Sequence, residues 1–220
     1  MTIRPRADAC GAGVLAMSLL LAADAEAHRL DEYLQAARLS LVPDRVVLEL
    51  DLTPGVAVAA EIIGLIDRNA DQVISPQEAR EYGQQALSEI TLTLDGRPLS
   101  VILDRVETPS AADLRAGLGT IALRAAAAVG RLPAGRHDLR FRNDHQAGSA
   151  VYLINALHPE DPAIHVASQH RDPTQREGRI EYEVAPSSRA RWLWLFAGLA
   201  CFHRHLAARF NRLRRAHGPP

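Results

Sequence analysis

The chain has 220 residues, a formal charge of −1 and 47% hydrophobic side chains, which suits one domain of ordinary size with appendages. Its charge is segregated: residues 28–188 hold 16 Arg against 23 acids, whereas residues 189–220 hold 7 Arg and no acid. An acidic body with a basic tail argues against nucleic-acid binding by the body and fits a tail that meets anionic lipid.

Residues 1–27 read as a secretory signal. Arg4 and Arg6 form the charged region, Gly11 to Ala23 the apolar run, and Ala25-Glu26-Ala27 an A-x-A cleavage site. The mature chain would then begin at His28 on the periplasmic face of a bacterial inner membrane. The alternative is an uncleaved anchor, although about 13 apolar residues are too few to span a bilayer. Cys10 and Cys201 are the only cysteines. The body therefore has no disulfide frame, thiolate nucleophile or Cys-ligated metal.

The body, residues 28–188, opens with two strand-like runs, Glu32 to Leu41 and Arg45 to Leu52, about a Val42-Pro43-Asp44 turn. Val46, Leu48, Leu50 and Leu52 alternate, which buries one face. The period then lengthens to that of helices over Ala57 to Ile66 and Pro76 to Ile90. The β pattern returns at Thr91 to Leu94, the turn Asp95-Gly96-Arg97-Pro98, and Leu99 to Val106. Further strand candidates are Gly119 to Ala127, His137 to Arg142, Ala150 to Leu157, Ile164 to Ser168 and Arg179 to Val184. About nine short strands predict a mainly β, sandwich-like fold, with a helix-loop-helix inserted at 56–90.

Between the helices, residues 67–78 read DRNADQVISPQE. An EF-hand loop takes hard oxygen ligands at positions 1, 3, 5, 7, 9 and 12. Here these are Asp67, Asn69, Asp71, the Val73 carbonyl, Ser75 and Glu78, with Glu78 as the bidentate ligand of Ca2+. Ser75 as N-cap, Pro76 at the first helical position and Glu78 three residues on make a capping box. Position 6 departs from the pattern: Gln72 stands where glycine usually supplies a positive φ, at a cost of roughly 1 kcal/mol. A single loop with this strain predicts a weak site, near the 10⁻⁴–10⁻³ M range of extracellular modules. The competing reading is a helical hairpin whose capping box is structural and whose acids are solvated.

His137, His145, His158, His165 and His170 match no zinc spacing, and H-E-x-x-H is absent. After cleavage at Ala27, the α-amine and imidazole of His28 could chelate copper or nickel with one or two further histidines. A periplasmic copper or nickel carrier is therefore the second functional reading. There is no G-x-S-x-G, P-loop or reactive cysteine, so these residues do not point to an enzyme.

In the tail, Trp192 to Phe202 is apolar, and Leu195, Leu199, Phe202, Leu206, Phe210 and Leu213 recur on one helical face. Arg204, Arg209, Arg212, Arg214 and Arg215 supply the polar side. Residues 189–220 thus read as a membrane anchor that spans the bilayer or lies in its interface. A dimer-forming helix is the remaining, non-membrane option; the partners expected are membrane lipid through this helix and a membrane protein.

The stretch AHRLDEYLQAARLSLVPDRVVLELDLTPGV, the loop after it and the later YLINALHPED resemble bacterial exported proteins in which an EF-hand loop interrupts a β-rich domain. The arrangement is similar to the extracytoplasmic parts of hydrogenase/urease accessory-type nickel transporters. The resemblance covers about residues 27–185 and implies a non-enzymatic, membrane-tethered calcium-binding module. It carries over no transported substrate, because this chain has no multi-helix membrane segment.

Overall fold

Alternating side chains build the first hairpin, in which β1 (Tyr33–Val42) pairs antiparallel with β2 (Arg45–Pro54) in unbroken register from Tyr33↔Pro54 to Val42↔Arg45. Tyr33, Ala37, Leu39 and Leu41 of β1 and Val46, Leu48, Leu50 and Leu52 of β2 face the core. The computed structural model describes residues 31–186; the expected signal at 1–27, His28 and the tail at 189–220 lie outside the described residues.

The remaining strands are β3 (Ile90–Leu94), β4 (Arg97–Pro98), β5 (Ile102–Glu107), β6 (Ile121–Ala128), β7 (Gly135–Asn143), β8 (Ala150–Ala156), β9 (Ile164–Arg171) and β10 (Glu177–Val184). They form two five-stranded sheets, ordered β5-β6-β2-β1-β8 and β4-β3-β7-β10-β9. One apolar core joins them, with Leu39, Leu50 and Ile121 from the first and Leu92, Leu139 and Ile180 from the second. The fold is mainly β, as alternation predicts, with ten strands rather than about nine among the described residues. The addition is β4, whose two residues are too few to show any periodicity.

Three helices interrupt the strands: α1 (Val56–Ile66), α2 (Pro76–Ser88) and α3 (Ala111–Arg115). The helical insertion ends at Ser88 rather than 90, because Glu89 is the C-cap and Ile90 already belongs to β3. Helix α3 is absent from the sequence reading. Ser110 caps it by accepting from the Asp113 N–H at 3.1 Å, but five residues are too few for a helical stripe. Helix α2 packs against β5 along the open side of the sandwich. At Gly83 it comes so near that a methyl group would meet Leu103 and Leu123 at 3.1 Å.

At the far side, β8 and β9 are the outer strands of their sheets, and side chains close the gap between them. The Gln169 amide donates to the Ala156 carbonyl and accepts from its N–H, both at 3.1 Å, as a paired strand would. Arg171 donates to the Ile154 carbonyl at 2.6 Å. Covering backbone groups in this way protects an outer strand from pairing with another chain.

A polar chain is buried where α2 meets β1. The Tyr33 and Tyr82 hydroxyls lie 2.6 Å apart, Tyr82 Oη is 3.0 Å from His145 Nε2, and His145 Nδ1 is 2.9 Å from Glu89 Oε2. A carboxylate only accepts, so His145 Nδ1 carries the proton and Nε2 accepts from Tyr82. Tyr82 has then used its hydrogen and accepts from Tyr33, so the chain runs in one direction. Both phenols are held above their usual range by burial, Tyr82 to about 12. The surroundings fix His145 further. Its carbonyl accepts from Gln35 at 3.0 Å and Tyr152 at 2.8 Å, and its N–H donates to Asn143 at 3.0 Å. Among the described residues, no buried side-chain nitrogen or oxygen lacks a partner.

The closest inter-sheet approach supplies a stability test. Gly178 of β10 sits under Ile154 of β8, and a Cβ there would lie 2.5 Å from Ile154 Cδ1. Gly178→Ala overpacks this contact and should cost about 1–3 kcal/mol in denaturant unfolding. Adding Ile154→Val should recover part of the loss.

Candidate metal centre

The loop from Asp67 to Glu78 starts where α1 ends. Asp67 is the C-cap, its N–H donating to the Ile63 carbonyl at 2.8 Å. From there the short polar side chains shape the backbone by capturing N–H groups two to five residues ahead. Asp67 Oδ1 accepts from Asp71 N at 3.1 Å and Oδ2 from Gln72 N at 2.8 Å. Asn69 Oδ1 accepts from Asp71 N at 2.9 Å, and Asp71 Oδ1 from Val73 N at 2.8 Å. These bonds coil residues 67–73 around the side chains of positions 1, 3 and 5, two acids and an amide. Two residues take the left-handed conformation, Ala70 at φ 58° and Gln72 at φ 66°. Gln72 therefore does what glycine does in the usual loop.

Glu78 closes the loop. Its Oε2 accepts from Ser75 N at 3.0 Å and Ser75 Oγ at 2.7 Å, and its Oε1 from Arg68 N at 3.1 Å. The Glu78 N–H returns to Ser75 Oγ at 3.3 Å, completing the capping box. The hydrogen bonds from Ser75 come first among the causes that hold the Glu78 carboxyl below its usual range. One carboxylate thus spans both ends of the loop. Ile74 points the other way and packs on the core.

All six sequence-predicted positions lie on this one turn. Asp67 and Glu78 are nearly buried, at 7% and 8% exposure, and Asp71 is exposed. Among the described residues, no arginine or histidine forms an ion pair with Asp67, Asp71 or Glu78. The nearest cation in sequence, Arg68, reaches away to Glu81 at 3.7 Å and Gln85 at 3.4 Å. The three carboxylates repel one another, and each turns to backbone N–H groups. The three carboxylates are not brought together: among the described residues no three His, Cys, Asp or Glu side chains converge as a group that could hold a metal ion. The other donors of the set are the Asn69 amide, the Val73 carbonyl and the Ser75 hydroxyl, neutral oxygens that suit a hard cation. The Asp67 oxygens each accept one N–H and keep a further lone pair, whereas each Glu78 oxygen accepts two hydrogen bonds.

Two of the five histidines, His137 and His145, are occupied elsewhere. His137 donates from Nδ1 to Asp95 at 2.8 Å and from Nε2 to the Pro133 carbonyl at 2.9 Å. Burial opposes its charge, but Asp95 and the Pro133 carbonyl outweigh it and raise the pKa. An imidazolium that donates from both nitrogens has no lone pair for a metal. Both His145 nitrogens are bonded within the buried chain. His165 and His170 stand on β9 beside Glu183 and Arg179 of β10, and His158 lies in the loop before it.

No family model, curated protein or solved structure matches the chain. The loop geometry therefore carries the functional reading alone. The sequence reading omitted the left-handed Ala70 and the Tyr33–Tyr82–His145–Glu89 chain. A positive φ at alanine leaves no compositional trace, and the chain joins residues up to 112 positions apart by packing alone.

The strain at position 6 is measurable. Because Gln72 already holds φ 66°, relief of that strain belongs to the folded chain. Gln72→Gly should stabilise the protein by up to about 1 kcal/mol, less the entropy glycine adds to the unfolded state. A stability loss in thermal unfolding would mean that residue 72 is not left-handed.

Proposed function

We propose that the protein is a membrane-tethered, extracytoplasmic calcium-binding module without enzymatic activity, in which the cation orders the α1–loop–α2 insertion. The observation that carries this reading is the placement of Asp67 at the end of α1 and Glu78 at the start of α2, at the two ends of one coiled loop. Both are nearly buried, and among the described residues neither has a cationic side-chain partner. Their charge is held by hydrogen bonds alone, and a divalent cation would supply a counter-charge. Asp67, Asp71 and Glu78 would supply charge, and Asn69, Val73 and Ser75 neutral oxygens. That composition favours calcium over the softer copper or nickel.

On binding, Glu78 would exchange its bonds to Ser75 and Arg68 for the cation, which would tie α2 to α1 more tightly than amide hydrogen bonds do. Calcium titration of the mature chain should give one site, in the range from about 10⁻⁴ to 10⁻³ M. Glu78→Gln, which keeps the side-chain length and loses the charge, should weaken it on the order of tenfold or more. A titration without heat and without a melting shift at millimolar calcium defeats the reading.

Tethering rests on the tail sequence, with seven arginines, no acid and the apolar run Trp192 to Phe202. Among the described residues no helix is long and apolar enough to cross a membrane, so any anchor belongs to the segments outside them. Deleting residues 190–220 should move the protein from the membrane pellet to the soluble fraction while leaving the calcium titration unchanged. Recovery of the full mature chain wholly in the soluble fraction would replace the anchor with a protein-contacting helix.

A further inference from the structure

We propose that the buried chain Tyr33–Tyr82–His145–Glu89 is a proton-operated latch on the calcium site, holding helix α2 on strand β1 while His145 is neutral and releasing it on protonation. This inference rests on the calcium reading above and assigns that site its regulation.

The geometry leaves little freedom. His145 is fully buried, Tyr33 and Tyr82 are at most 1% exposed, and Glu89 alone in the chain is half-exposed. A proton from solvent therefore meets the chain at Glu89. The groups facing the imidazole are Glu89 and Tyr82 from α2 and its C-cap and Tyr33 from β1. Both tyrosine rings stand edge-on to it, with centroids 5.5 and 6.1 Å away. Gln35, Asn143 and Tyr152 hold its backbone, and the Arg176–Asp144 ion pair lies beyond Tyr152. Glu89 is thus the only charged group in contact with the ring among the described residues.

A second proton on His145 sits on Nε2, which turns from acceptor to donor. Tyr82 must then accept from it and point its own hydrogen at Tyr33. The Tyr33 hydrogen, buried among apolar groups, is left without an acceptor, and a buried donor without a partner is strongly disfavoured. Protonation therefore reverses the two-phenol hydrogen bond and leaves a buried donor unpartnered, which weakens the contact that joins α2 to β1. Tyr82 lies four residues after Glu78 on the same buried face of α2, so a shift of this helix moves the carboxylate that closes the calcium loop.

The direction of the pH effect follows. Burial lowers the His145 pKa below the free value of 6.5, with Glu89 opposing. A base with a depressed pKa stabilises the fold above the unfolded value and loses that contribution as the pH falls below it. Calcium, which binds the latched form, weakens over the same interval.

The test uses calorimetry on the full mature chain and its His145→Gln variant at about pH 7.5 and about pH 5.5. Glutamine reproduces the neutral ring, accepting from Tyr82 and donating to Glu89, and does not titrate. The native protein should lose on the order of tenfold in calcium affinity across this interval and the variant less than about twofold. The other histidines are the same in both proteins, so the difference isolates residue 145. Equal losses, or no loss in either, overturn the latch while leaving calcium binding intact. Absence of calcium binding at both pH values overturns the calcium reading and the regulation with it. If the variant does not fold, the native imidazole is followed by NMR: saturating calcium should lower the His145 pKa, and an unchanged pKa overturns the latch.

Discussion

Helix α2 is held at its start and at its middle by side-chain hydrogen bonds. At its start, Ser75 and Glu78 exchange hydrogen bonds, and Glu78 reaches back to the amides that follow Asp67. One turn further on, Tyr82 inserts its hydroxyl between Tyr33 and His145. The helix is short and polar by composition, so its own propensity contributes little. Its position comes from these contacts and from Gly83, which lets it lie against Leu103 and Leu123. The loop geometry depends on that position, because residues 67–78 are strung between a fixed α1 and a fixed α2.

The sandwich supplies the fixed frame. Helix α1 is apolar on most of its surface and buries Ile62, Ile63 and Ile66 in the common core. Asp67 follows the last of these directly, so the first acid of the loop is carried to the edge of the core. Glu78 is placed similarly by the capping box. Asp67 and Glu78 are held by loop N–H groups and Ser75 rather than by cationic side chains among the described residues. Neutral side chains could cap a purely structural hairpin, and this is the argument for the proposed calcium reading over a helical hairpin with solvated acids.

Much of this was legible from the residues. Period-two alternation placed the hairpin of β1 and β2 and most later strands, and the twelve-residue spacing located the loop. The capping box over Ser75–Glu78 appears as read, as does the left-handed turn at Gln72. Other features were not legible for physical reasons. The parallel pairing of β8 with β1 joins strands more than a hundred residues apart, and no local signal encodes it. Strand β4 and helix α3 are shorter than the periods by which strands and helices are recognised. His145 looked like one of five unremarkable histidines because its role comes from neighbours on β1, α2, β7 and β8. The signal, His28 and the tail fall outside the described residues.

The central claim is that residues 67–78 form one calcium site in the conformation described. Its most direct test is a calcium titration of the ¹⁵N-labelled mature protein followed amide by amide. The account predicts that the Asp71, Gln72 and Val73 N–H signals, which donate to the loop acids, shift together and saturate at one equivalent bound. Unchanged loop amides at millimolar calcium, or shifts confined to residues outside 67–78, would contradict it.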